Sequence, residues 1–321
     1  MGVGEDFATF KNNYNINSVL ISSISDRYKR ITGRLNKDFW NTDSDTSHSL
    51  YVGSYGRDTA ARGVSDIDMA FVLPFAEYQK YSSYQGNGQS ALLQAVKRSI
   101  QNTYRTSESF GDGQVVVIAF DDNIKFEVLP VFENKDGQTF TFPNANAGGS
   151  WKVCDPRAEI AAIKKRSDST NTNMKYLARM ARAWRDYCDV PMSGALIDTL
   201  AYQFLETYEY RDKSFLYHDF MARDFFDLLS KQDEKQNFWR APGSGSYVFR
   251  NFRRARSSPW HNDVVMGAAT GFLAPRRRRS NCTPFIGIMF FCLRHAGQRA
   301  MRAHVPVPAD GIGRLQLATR A

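Results

Sequence analysis

Apolar side chains recur at Val19, Leu20, Ile24, Tyr28, Ile31 and Leu35, close to the 3.6-residue period of a helix buried along one side. The spacing predicts a long N-terminal helix over residues 17–39. A polar run over residues 41–48 ends it, and residues 50–52 and 67–73 then read as strands, with a short turn and helix over 54–62 between them. Ala91, Leu92, Ala95, Val96 and Ile100 place another helix over residues 88–105. Two further strands, 114–120 and 125–132, are joined by Asp121, Asp122 and Asn123, a cluster suited to a hairpin turn.

From Pro156 onward helical spacing takes over, in four segments over residues 157–165, 173–187, 193–208 and 214–230. Strands early and helices late predict an α+β fold: a catalytic lobe over residues 1–155, with a mixed sheet and flanking helices, then a helical lobe over 156–251. Ligands commonly bind in the cleft between such lobes. There is no internal repeat, and residues 242–246 form the one linker-like stretch before the last seventy residues.

Composition narrows the function classes. A chain of 321 residues that is 42% hydrophobic and 13% aromatic buries a substantial core, which excludes a disordered protein and a small disulfide scaffold. The longest apolar runs, 115–120 and 288–293, fall far below the ~20 residues of a membrane span, and Glu5 and Asp6 interrupt any secretory leader. The expected location is the cytoplasm, with no membrane partner. Cys154, Cys188, Cys282 and Cys292 form no CxxC pair and have no histidine at ligand spacing, which speaks against zinc.

The net charge of +9 suggests a nucleic-acid partner until its location is considered. Residues 252–321 contain twelve arginines, no lysine and only Asp263 and Asp310 as acids, whereas the preceding 251 residues hold 30 basic and 31 acidic side chains. The body is electrically neutral, so direct nucleic-acid binding is not expected of it. The Arg276–Arg279 run reads as a phosphate-binding arm or a solvated charge run. The abrupt change in composition also fits a tail foreign to this fold, as a shifted reading frame would produce.

The chemistry concentrates between Val52 and Met69. Asp66 and Asp68, two apart on a strand, present both carboxylates to one face and call for a cation. Oxygen-only donors at this spacing suit Mg²⁺, with Mn²⁺ as the alternative, sharing substrate phosphates. Gly53 permits close backbone approach to a phosphate, and Ser54 offers a hydroxyl and nearby N–H groups. Glu127, an acid inside an otherwise apolar strand, is costly unless compensated, and metal coordination would compensate it. Asp121 and Asp122 read as turn residues.

A hydrophobic-Gly-Ser element, eleven residues, Asp-hydrophobic-Asp-hydrophobic and a distal acid in Phe126-Glu127-Val128-Leu129-Pro130 resemble the DNA polymerase β-type nucleotidyltransferases. Within them, Gly53-Ser54-Tyr55-Gly56-Arg57-Asp58-Thr59 and the helical second half resemble the bacterial cGAS/DncV-like nucleotidyltransferases of the SMODS group, over roughly residues 7–251. The resemblance implies a polymerase β-like lobe joined to a helical lobe. It implies synthesis of a cyclic di- or trinucleotide from NTPs (ATP, GTP or a pyrimidine NTP) and a downstream effector, activated by that product in antiphage defence.

The resemblance puts Asp66, Asp68 and Glu127 on the metal-binding acids and Gly53 with Ser54 on the phosphate loop. Lys175, Arg179 or Arg182 would face the triphosphate, and Ser193 resembles a serine that reaches the nucleotide. The Arg-rich sequence after Phe249 departs from the closing helix of the family.

Blander readings stand beside these. Lys175 and Arg179 also fit a solvated helix face, Gly148-Gly149-Ser150-Trp151 fits a turn capped by a core tryptophan, and Tyr55, Trp151, Tyr202 and Trp239 fit core positions as well as base stacking. His48 and His218 have no partner at useful spacing. Two other functions fit the sequence: nucleotide transfer by the same residues to an RNA 3′ end, small molecule or protein, and non-catalytic nucleic-acid binding through the basic tail.

Overall fold

The structure is a computed structural model that describes residues 9–10, 12–105, 109–188, 190–233 and 235–250. The expectations for residues 252–321 lie outside the described residues.

Helix α1 (Ser18–Leu35) starts where the Asn17 side chain accepts the Leu20 N–H at 2.8 Å, and it buries Ile24, Tyr28, Ile31 and Leu35. One wider turn (Asn36–Trp40) extends it, and the Trp40 indole N–H is tied to the Val72 carbonyl at 2.9 Å. Strand β1 (Ser49–Tyr51), the one-turn helix α2 (Gly53–Gly56) and strand β2 (Asp66–Val72) follow. The expected helix over 54–62 is therefore cut to a single turn, because the chain bends back at Asp58 with φ 56°.

Helices α3 (Phe75–Ser82) and α4 (Gly88–Gln101) precede strands β3 (Ser109–Asp112), β4 (Val115–Ala119), β5 (Lys125–Glu133), β6 (Phe140–Asn144) and β7 (Ser150–Cys154). The sheet runs β1-β2-β5-β4-β3, with β6 joining the far end of β5 and β7 beside it. Among the described residues only the β2–β5 pair is parallel; the β4–β5 hairpin predicted from its turn is antiparallel. Under one face, α1 and α4 close a core around Ile67, Met69, Phe71, Phe126 and Val128.

Asp155 caps helix α5 (Pro156–Ser169) by accepting the Ala158 N–H at 2.9 Å. Helices α6 (Asn173–Cys188), α7 (Gly194–Thr207) and α8 (His218–Ser230) complete a second core around Met174, Leu177, Ile197, Leu200 and Phe225. Phe10 and Tyr14 pack into this helical core although they precede the sheet in sequence. Strands β8 (Phe238–Arg240) and β9 (Tyr247–Phe249) form a hairpin whose turn contains residues 242–246, so that stretch is not a linker.

Candidate active site

The Val52 N–H donates to the Asp68 carbonyl at 3.0 Å, fastening the end of β1 to β2 beside an acidic position. The next residue, Gly53, has φ 58°, and a Cβ there would collide with the Asp68 carboxylate. Glycine is what lets Ser54 enter α2 against the acid.

Strand β2 turns Ile67, Met69 and Phe71 into the core and leaves Asp66 and Asp68 together on the opposite face. Parallel register sets Asp68 opposite Glu127 on β5, whose neighbours Phe126 and Val128 are fully buried. Because β5 lies between β2 and β4, Glu127 is not on a sheet edge. Asp66, Asp68, Glu127, Gly53 and Ser54 all line one cavity of about 690 Å³, a size typical of small-ligand sites.

Burial pushes the Asp68 carboxyl above its usual range, the Arg57 charge opposes that shift and Asp66 adds to it. Ionising both acids in this partly desolvated wall therefore favours an incoming cation. Among the described residues no three acidic, histidine or cysteine side chains form a ready metal cage. Mg²⁺ needs none, since it is held by one or two carboxylates plus water and substrate phosphate, and this all-oxygen donor set beside an open cavity fits it.

The helical lobe supplies the facing wall through Arg182, Arg185, Asp186, Gly194 and Ala195. Arg182 is committed to Asp198: its guanidinium donates to that carboxylate at 2.6 and 2.9 Å. Asp198, only 2% exposed, also accepts Arg57 Nε at 3.0 Å and the Thr59 hydroxyl at 2.9 Å. A second Arg57 nitrogen donates to Glu159 at 2.9 Å. Burial alone would raise the Asp198 pKa; Arg182 and Arg57 outweigh it and hold the carboxyl below its usual range. Sequence reasoning missed Asp198, although an acid inside Ala195-Leu-Ile-Asp-Thr-Leu-Ala201 carries the same signal that exposed Glu127.

Lys175, Arg179 and Ser193 stand outside the cavity lining. Lys175 and Arg179 both bind the Asp58 carboxylate, and Arg179 also donates to Asn15 at 3.0 Å. The Ser193 hydroxyl caps α7 by accepting the Leu196 N–H at 3.1 Å. Arg185, which sequence reasoning did not single out, does line the cavity, where it donates to Asp186 at 2.8 Å. Cys154 lines it too, and burial, with Glu159 and Asp155, pushes its thiol up to about 12, so it is neutral at pH 7.

The aromatic candidates occupy packing positions. Trp151 sits 4.9 Å from the Tyr78 ring and 5.7 Å from Phe132, which makes the glycine turn before it a capped turn. Tyr55 packs on Tyr51, and Trp239 and Tyr202 belong to the helical core. His48 stacks on Trp40, and His218 is buried against Asn173.

A mixed sheet with paired acids beside a Gly-Ser turn, faced by a helical lobe, defines a polymerase β-like nucleotidyltransferase, and the protein is such an enzyme. The chain belongs to the Second Messenger Oligonucleotide or Dinucleotide Synthetase (SMODS) family, whose sequence model matches residues 1–167. Solved structures of bacterial cGAS/DncV-like nucleotidyltransferases share its fold. CdnG of Bradyrhizobium diazoefficiens, solved with GTP, is 10% identical, with 94% of each chain covered and a TM-score of 0.58. CdnC of E. coli MS115-1, solved in complex with HORMA-deltaN, is 14% identical over 94% of this chain and 92% of that one, with a TM-score of 0.56. The cyclic dinucleotide synthase CdnE of Elizabethkingia meningoseptica, solved with GTP and Apcpp, is 17% identical over 84% and 90%, with a TM-score of 0.51. No curated protein matches the chain.

Proposed function

We propose that the protein joins NTPs into a cyclic di- or trinucleotide, the ribose hydroxyl of one nucleotide attacking the α-phosphate of another and releasing pyrophosphate. The observation that carries this reading is the register of Asp68 against Glu127 in a cavity that Gly53 and Ser54 also line. In it, Asp66 and Asp68 hold a divalent cation, Mg²⁺ or Mn²⁺, which when bound supplies positive charge to the reacting phosphates. Glu127 orients the attacking hydroxyl, and the N–H groups and hydroxyl of the Gly53–Ser54 turn hold the donor's terminal phosphates.

Arg185, at the opposite wall, is paired with Asp186 within the cavity lining and has the charge to meet a triphosphate there, whereas Lys175 and Arg179 pair with Asp58 outside the lining and Arg182 is held by the buried Asp198. Ser193 contributes by fixing the start of α7, from which Gly194 and Ala195 reach the cavity. Family membership supports a product that acts as a second messenger; an effector that it activates, in antiphage signalling in the cytoplasm, belongs to the same proposal. No helix among the described residues is long and apolar enough to cross a membrane. In this proposal the lobes divide near residue 155, with residues 156–251 as the helical lobe, whose core Phe10 and Tyr14 also join.

The test is incubation of the full chain with mixed NTPs and Mg²⁺, followed by mass spectrometry. A cyclic product without added acceptor supports the reading; transfer only to added RNA, protein or small molecule rejects it. The Asp66→Ala, Asp68→Ala double variant should release no pyrophosphate while keeping its circular dichroism spectrum. Unchanged turnover in that variant removes these residues from the chemistry.

A further inference from the structure

Three consecutive residues after the phosphate loop, Arg57, Asp58 and Thr59, each reach the helical lobe by a different polar contact. Arg57 binds Glu159 on α5 and Asp198 on α7. Asp58 binds Lys175 and Arg179 on α6. The Thr59 hydroxyl, on a side chain with no exposure, donates to Asp198 at 2.9 Å. The same three residues are bonded back into the loop: the Arg57 N–H donates to the Gly53 carbonyl at 3.1 Å, the Asp58 N–H to the Tyr55 carbonyl at 3.0 Å and the Thr59 N–H to the Ser54 carbonyl at 2.9 Å.

The path from Asp198 to Ser54 thus needs one intervening residue, Thr59. Asp58 adds a second sign that this turn is held from outside. It sits at φ 56°, in the left-handed region where a non-glycine residue is strained, and its carboxylate is gripped by two cations of α6.

We infer that Arg57, Asp58 and Thr59 are positioning residues through which the helical lobe sets the place of the Gly53–Ser54 turn relative to the acids on β2. The inference rests on the reading of that turn as the phosphate loop. It explains why Lys175 and Arg179 stand outside the cavity: they act on the nucleotide through Asp58. It also makes the grip on the nucleotide depend on how α5, α6 and α7 pack.

The experiment measures KM for NTP in pyrophosphate release, with the unfolding temperature, on full-length Thr59→Val, Thr59→Ser, Asp58→Gly, Ser54→Ala and the Ser54→Ala, Thr59→Val pair. Thr59→Val, which keeps the shape and loses the hydroxyl, should raise KM about tenfold, and Thr59→Ser should restore it. Asp58→Gly relieves the backbone strain but loses two partly exposed ion pairs, effects that oppose each other, so its unfolding temperature should change little while KM rises severalfold; a merely structural role would move the two together. In the double variant KM should exceed that of Ser54→Ala by no more than about twofold, because both act through one turn.

Full additivity of Thr59→Val on Ser54→Ala overturns the clamp. So does an unchanged KM in Asp58→Gly, which decides the matter even if Thr59→Val fails to fold. An unchanged KM in Ser54→Ala overturns the phosphate-loop reading itself, and the clamp with it.

Discussion

At Gly53 a single backbone angle and a single neighbour set the residue's identity. Alanine there costs on the order of 1–2 kcal/mol for its left-handed conformation, and its methyl group displaces the Asp68 carboxylate. Gly53→Ala should therefore lower turnover by about 100-fold or more, since misplacement near 1 Å is that costly, while the variant remains folded. Pyrophosphate release and a thermal melt on the same sample check this. Asp198 shows the opposite dependence, on charge. Asp198→Asn leaves Arg57 and Arg182 facing each other without their shared anion, and removing one partner of a buried ion pair costs about 3–5 kcal/mol. Because the native carboxyl titrates below its unfolded value of about 3.9, its contribution is fully present above that pH and is lost as pH falls through the native pKa. Urea midpoints between pH 6 and pH 2 should accordingly fall more steeply for the natural chain than for Asp198→Asn. The sequence made Asp66, Asp68, Gly53 and Ser54 legible because their relation is local. It hid Asp198, whose partners Arg57 and Thr59 lie 141 and 139 positions away, although its apolar surroundings marked it as an acid in need of compensation.

Among the elements, those with a sustained period were the ones pattern reading found. The buried stripes of α1 and α4 and the apolar runs of β2, β4 and β5 are long enough to show their period, and their ends fall within a few residues of the expected ones. Helix α3 buries only Tyr81 and therefore carries no stripe, and β7 leaves Ser150, Lys152 and Val153 exposed, so neither announces itself. Strands β8 and β9 have three residues each, too few for a period, and their Gly/Ser turn reads as a linker until the packing is seen. That turn bears on α5: Gly243 has φ 80°, and a Cβ on it would run into the Ala158 carbonyl. The adjacent Ser244 hydroxyl donates to Glu159 at 2.9 Å, the same carboxylate that receives Arg57. Gly243→Val should thus lower the unfolding temperature by several degrees, through both the clash and the lost contact to α5. An unshifted melt would mean that the hairpin does not bear on the helical lobe.

For the whole molecule the question is whether two separate cores act as one body. The sheet lobe and the helical lobe have their own hydrophobic clusters, and the cavity takes its walls from both, with the ion pairs of Arg57 and Asp58 bridging the gap. Each lobe also has tryptophans: Trp40 and Trp151 pack on the sheet core, Trp184 and Trp239 lie in the helical core. A nucleotide that touches both walls binds only when both lobes are folded, so its binding energy is shared between them. At one hundred times its dissociation constant it adds about 2.7 kcal/mol to stability. A non-hydrolysable NTP with Mg²⁺ should therefore raise the melting temperature by several degrees, and by the same amount whether read from Trp151 or from Trp184 in chains where the other tryptophans are replaced by phenylalanine. A shift seen by Trp151 alone would mean that the nucleotide rests on the sheet lobe without the helical wall. In the clamp variants Thr59→Val and Asp58→Gly the shift should shrink for both reporters together, since what those residues hold is the relation between the lobes.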